Sequence, residues 1–141
     1  MPLPDSSALV HEWTTLQNNH EHYERYSLQI KLGSIALFVA GFALSLDVLI
    51  LLLLLAILWL QEAILRTSQS RLGDRILRIE QSLRSQAQPA APACQLHSEW
   101  LATRPGFAGL LVEYGKNMLR PTVAFPYVVL MGITVLWFAF A

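Results

Sequence analysis

Two long apolar blocks organise this chain: residues 32–60, whose one charge is Asp47, and residues 122–141, which carry none. About 20 apolar residues at 1.5 Å each match a ~30 Å hydrocarbon layer, so blocks of this length read as bilayer-crossing helices rather than as a water-soluble core. With its flanks, the first apolar stretch covers residues 28–65 and makes roughly 57 Å of helix, about twice what one crossing needs. It is therefore expected to fold back. Ser45-Leu46-Asp47 lies near its midpoint. Inside one span an Asp costs about 2.5 to 3.5 kcal/mol, whereas at a turn it lies in water and caps the free N–H groups of the next helix, with Ser45 helping. The expectation is a tight hairpin of residues 28–44 and 48–65. The rival, one tilted span starting near Asp47, leaves the uncharged run 33–44 without lipid.

Residues 122–141 give a third span, with Phe125 and Tyr127 towards one end and Trp137, Phe138 and Phe140 towards the other, where interface-seeking aromatics belong. Pro121 or Pro126 is tolerated in its first turn, where a missing N–H has no helical partner. In the first span Gly33, Ala36, Ala40 and Ala43 recur at helical steps and form a face of small side chains that another helix can approach closely. The second span is the expected partner, with a subunit contact as the alternative.

Before the hairpin, Leu9, Trp13, Leu16, His20, Tyr23 and Ile30 fall at helical intervals. They predict a short helix over residues 1–27, with Trp13, Tyr23 and Tyr26 at headgroup depth. After it, Leu65, Gln69, Leu72, Ile76, Ile79, Leu83 and Gln86 alternate steps of four and three, the seam of a coiled coil about three heptads long over residues 66–88. Glu62, Asp74 and Glu80 each precede an arginine by four residues, which supports a helix by ~0.2 to 0.5 kcal/mol per pair. As a stalk, that helix pairs its seam with another subunit; as a surface helix bent at Gly73-Asp74, it lies against the bilayer or the C-terminal segment. The stalk is favoured. Arg71 and Arg75 have no evident acidic partner in sequence and are candidates for lipid phosphate. Residues 89–106 read as a linker rich in Pro and Ala. Residues 107–120 follow as an interfacial helix with Phe107, Leu110, Leu111, Tyr114 and Met118 on one face. Glu113, Lys116, Asn117 and Arg120 take the other. The fold class is thus an all-α membrane protein with three transmembrane helices, the last over residues 121–141.

Composition sharpens this picture. The chain has 141 residues, 54% of them hydrophobic and 14% charged, with a formal net charge of zero. That length excludes a multi-domain enzyme or a large sheet. The zero hides an asymmetry, because eight of the 10 Lys and Arg residues lie between Arg66 and Arg120, among only four acids. The positive-inside rule then puts the middle segment and the N-terminus in the cytoplasm and the C-terminus outside, in a bacterial inner membrane. Anionic lipid accounts for the arginines, and nucleic acid is not expected as a partner. The single cysteine, Cys94, excludes an internal disulfide and reads as a loop thiol on the reducing side. Residues 1–7 lack the basic and apolar regions of a cleavable signal peptide.

Candidate chemistry is sparse. His20, Glu21, His22 and Glu24, with His11 upstream, are metal-ligating types, but only His20 and Glu24 share a helix face, so no metal or cofactor is expected. No Walker motif, His-Glu-x-x-His, paired cysteines or Gly-x-Ser-x-Gly occurs, and no catalytic residue is assigned. Within the spans only Lys31, Asp47 and Glu62 ionise, all near edges; Glu62 is expected to pair with Arg66 and reach the headgroups. A helical hairpin followed by a charged helix resembles the layout of small prokaryotic membrane proteins, including the two-span modules of antiviral effector systems, without assigning any residue. The expected role is a non-enzymatic accessory or scaffolding subunit that joins its own copies or other membrane subunits. A pore-forming effector is the alternative, against which no span carries a polar stripe to line a wet pore.

Overall fold

A computed structural model describes residues 5–85, 92–103 and 105–140. They form five α-helices: α1 Asp5–Ala43, α2 Val48–Ser85, α3 Leu96–Thr103, α4 Phe107–Met118 and α5 Pro121–Phe140. Three of these, α1, α2 and α5, are long and apolar enough to cross a membrane. Residues 86–91 of the expected seam end and linker, and Arg104, lie outside the described residues.

The hairpin turns where its capping chemistry predicts. Asp47 Oδ1 accepts hydrogen bonds from the N–H groups of Leu49 at 2.9 Å and Ile50 at 3.3 Å, so its carboxylate closes the open start of α2. Ser45 serves the other helix. Its φ of 53° lets its own N–H reach Phe42 O and the Leu46 N–H reach Gly41 O, the paired bonds of a Schellman C-cap.

Both hairpin helices run far beyond a bilayer's thickness. α1 has 39 residues and α2 has 38, roughly 57 Å each. The N-terminal helix runs straight into the first apolar stretch and the second apolar stretch straight into the seam, and α2 continues through Gly73-Asp74, the bend of the surface-helix alternative, without interruption. The hairpin therefore has an apolar half near the turn and a polar stem at the open end. In the stem, Leu9 and Leu16 of α1 bury against Leu72, Ile76 and Ile79 of α2, with Trp13, Tyr23 and Leu83 packed around them. Each such side chain contributes about 1.5 to 3 kcal/mol on burial.

That contact corrects two expectations. The seam of α2 is covered by the chain's own N-terminal helix, so it is neither an intersubunit stalk nor a surface laid on lipid. Trp13, expected among headgroups, is instead partly buried in the stem, where its indole N–H donates to Glu80 at 3.1 Å. The physical reason is length: α1 does not stop at the membrane edge, so its first six turns run beside α2 and close the seam locally.

The small-residue stripe is also turned round. Gly33, Ala36, Ala40 and Ala43 are all exposed, and a Cβ at Gly33 meets nothing within 4 Å. The face of α1 buried on α2 is instead Ser27, Ser34 and Gly41, seven residues apart. At Gly41 a Cβ would stand 2.8 Å from Leu51 Cδ1, which marks a close approach of the pair beside the turn. α5 packs along α2 and runs in the same direction as α1, with Trp137 edge-on to Phe42, ring centroids 5.5 Å apart, at the turn end. Around this three-helix bundle large apolar side chains point outward, among them Leu32, Val39, Leu49, Leu53, Ile57, Phe125 and Leu136. Such a belt is what lipid-facing helices present.

Candidate functional site

The most heavily built polar site lies at the stem end of the apolar bundle, around Glu62. This carboxylate is fully buried. Its Oε1 accepts from Ser27 Oγ at 2.9 Å and lies 3.1 Å from Lys31 Nζ, while Oε2 accepts from Tyr127 Oη at 2.9 Å. Three helices thus deliver one ligand set: α1 brings Ser27 and Lys31, α2 brings Glu62 and α5 brings Tyr127. Ser34, also buried, stands beside the tyrosine hydroxyl. The Tyr127 ring stacks on Trp59, with centroids 6.1 Å apart and planes 10° from parallel, and the Trp59 N–H is anchored on Met118 O at 3.1 Å. An unpaired carboxylate at this depth is expensive, and opposite charge with two hydroxyl donors offsets that cost.

Lys31 has a second task. Pro126 lies inside α5, where its missing N–H leaves the carbonyl four residues earlier, Thr122 O, without its helical donor. Lys31 Nζ donates to that oxygen at 2.8 Å. One ammonium therefore neutralises Glu62 and satisfies the carbonyl freed by a proline, tying α1 to both other helices. Pro121, by contrast, occupies the first helical position as expected.

This arrangement overturns the expected Glu62–Arg66 pair. Glu62 faces inward, and Arg66 reaches α1 instead, with Nη1 2.7 Å from Glu24 Oε1 and 2.7 Å from Gln69 Oε1. Hydrogen bonding from Arg66, joined by Gln69 and the charges of Arg66 and His20, holds the Glu24 carboxyl below its usual range despite partial burial. A chain of polar contacts continues along α2. Thr67 Oγ1 donates to Ala63 O at 2.9 Å and accepts from Asn117 Nδ2 at 2.7 Å, which seats α4 on α2 through its polar side. Of the apolar face expected on α4, Phe107 and Leu111 are exposed, together with Val112, while Leu110, Tyr114 and Met118 are partly buried.

Deeper in the stem Arg75 forms a second cluster. It is 2% exposed, grips both oxygens of Glu12 through Nε at 2.9 Å and Nη2 at 3.0 Å, bonds Glu99 through Nη1, and donates from Nη2 to Pro92 O at 3.0 Å. Glu99 also takes Arg78 at 2.7 Å, and the Cys94 N–H donates to Glu12 at 2.8 Å. Burial pushes the Glu12 carboxyl up, yet the Arg75 hydrogen bond, the Cys94 N–H and the guanidinium charge outweigh it and hold the group below its usual range. The expected lipid role of Arg75 is thereby corrected, because its donors are consumed inside the protein. Arg71 lies 4.9 Å above the Trp100 ring and 3.7 Å from Glu113.

Of the other expected site residues, Leu72, Ile76 and Ile79 are buried and Leu83 partly so, all against α1. His11 and His22 are exposed and apart from His20, and among the described residues no three His, Cys, Asp or Glu side chains converge as a metal set. Sequence reasoning missed Ser27, Tyr127, Glu12 and Glu99 as ion-cluster partners. The available signals were the seven-residue spacing of Ser27, Ser34 and Gly41, and Pro126 four residues after Thr122. No protein-family model, curated protein or solved structure matches this chain.

Proposed function

We propose that this chain is a non-enzymatic integral protein of a bacterial inner membrane, an accessory or scaffolding subunit whose three-helix bundle receives a further transmembrane helix. In this reading α1, α2 and α5 cross the bilayer, the arginine-rich stem and the N-terminus are cytoplasmic, and the hairpin turn and C-terminus lie outside. The observation that carries the proposal is the outward stripe Gly33, Ala36, Ala40 and Ala43, left open because Ser27, Ser34 and Gly41 make the contact with α2. A close-approach face set in a lipid-facing surface suits a helix of a larger complex or of a second copy.

Support also comes from what the rest of the molecule does. The apolar seam of the stem is already covered, so assembly does not need it. Glu62 is engaged by donors from α1 and α5, which suits a latch that keeps the bundle rigid while another helix docks. The test is a mild-detergent pull-down with mass spectrometry of the parent and of Ala36→Leu/Ala40→Leu. The parent is expected to retain a membrane partner or a second copy that the variant loses. An identical set of co-purifying proteins and an identical detergent-particle mass for both would refute the reading.

A further inference from the structure

We infer that the cavity between His20, Arg66 and Arg120, where the apolar bundle meets the stem, binds the phosphate of an anionic phospholipid. The cavity holds about 450 Å³, and Gln69 and Thr122 complete its polar wall. Its charge is unbalanced: two guanidiniums face it against one carboxylate, Glu24, which is already bonded to Arg66 and Gln69. Arg66 Nε is buried with no hydrogen-bond acceptor among the described residues, and no ion pair of the Arg120 guanidinium occurs among them either. An orphaned buried donor beside an unpaired cation calls for an acceptor with several oxygens and negative charge, which a phosphate diester supplies in the fork geometry that arginine favours.

Depth selects a lipid over a soluble anion. α5 has 20 residues, roughly 30 Å, which matches the hydrocarbon thickness. Its first residue, Pro121, then marks the hydrocarbon edge, and Arg120 and Thr122 flank that position. Phosphates of a bilayer lie just beyond this edge, at the level of the cavity. Basic pockets between transmembrane helices on the cytoplasmic side are where anionic headgroups are held. The headgroup role expected of Arg71 and Arg75 is thus assigned instead to Arg66, roughly one and a half to two and a half turns closer to the bundle, and to Arg120 in the α4–α5 turn.

The inference rests on the three-span reading, and the experiment separates the two. The full chain is taken from membranes into dodecyl maltoside, and native mass spectrometry follows retained adducts of added phosphatidylglycerol, phosphatidylcholine or inorganic phosphate. One phosphatidylglycerol per chain is expected, displaced neither by phosphatidylcholine nor by equimolar phosphate. Arg120→Gln is expected to weaken it about fivefold. Arg66→Gln weakens it too but also releases Glu24, so Arg120→Gln is the primary variant. Arg25→Gln, which removes an exposed charge from α1 outside the cavity, is expected to leave occupancy unchanged. Equal effects of Arg25→Gln and Arg120→Gln, no effect of Arg120→Gln, or displacement by inorganic phosphate would each overturn the inference. Carbonate extraction of the starting membranes addresses the premise: chain released to the supernatant removes the three-span reading and the lipid with it.

Discussion

At the foot of the apolar bundle one carboxylate, Glu62, meets one ammonium and two hydroxyls; in the stem one guanidinium, Arg75, gathers two carboxylates and a backbone carbonyl. The first set is balanced charge for charge and drawn from long helices only. The second balances Glu12 and Glu99 only by sharing Glu99 between Arg75 and the half-exposed Arg78, and it takes in residues 92–94 and α3. Solvent explains the contrast. Where the surroundings are hydrocarbon, an uncancelled charge has nowhere to go, and rigid helices must bring the partners together. Where water is near, the outer pair of Glu99 and Arg78 is hydrated at the rim, and a wide guanidinium clips short segments onto a helix pair.

The largest effect is therefore expected at Lys31. Lys31→Met leaves Glu62 charged and buried and Thr122 O without a donor, and should cost about 3 to 5 kcal/mol of stability in mixed-micelle SDS unfolding. Lys31→Met/Glu62→Leu removes both charges and should recover most of that loss. If the single variant unfolds within about 1 kcal/mol of the parent, the cluster is not what locks the three helices, and the contrast with the stem disappears.

Arg75→Met ranks second, at about 2 to 3 kcal/mol, because Glu99 is 30% exposed and water relieves part of the stranded charge. Its signature is local: residues 92–103 should become cleavable by protease while the bundle resists. Acid sharpens the same comparison. Because the Glu12 carboxyl sits below its ordinary value of 4.5 when folded, its contribution is present above that pH and fades as pH falls through the lowered value. Protection of residues 92–103 is therefore expected at pH 5 to 7 and lost at lower pH. Protection that persists through that drop would mean the Arg75–Glu12 contact is not what holds the segment.

How much of this was legible from the residues alone follows the same division. The hairpin, its Asp47 cap, the three apolar helices and the seam positions were readable, because hydrophobic blocks and seven-residue steps are local patterns. Reading each helix against the bilayer alone, however, assigned the small-residue face and the seam to the wrong neighbours, since only the register of α1 on α2 decides which face is buried. The ion clusters were less legible still. Lys31 and Glu62 are 31 positions apart, and Arg75 and Glu12 are 63 apart, because an antiparallel hairpin pairs residues farther apart in sequence the farther they lie from its turn. Helical pairing at four residues is the only ion-pair rule a single sequence offers. It sent Arg66 to Glu62, and the fold sent it to Glu24.

The smallest expected effect completes the series with a carboxylate that meets water. Asp47 is exposed at the hairpin turn and does one thing, accepting the N–H groups of Leu49 and Ile50. Asp47→Ala should cost about 1 kcal/mol, and Asp47→Asn close to nothing, since an amide oxygen caps as well as a carboxylate. Glu62→Gln must behave differently. It keeps an oxygen for Tyr127 or Ser27 but strands the Lys31 charge, so the amide substitution is harmful there and harmless at the turn. Unfolding the two variants side by side in one detergent checks this. If both amides are equally mild, the charge on Glu62 is unimportant and hydrogen bonding alone holds the bundle; if Asp47→Asn is as costly as Glu62→Gln, the turn is not in water and the hairpin does not end at the bilayer surface.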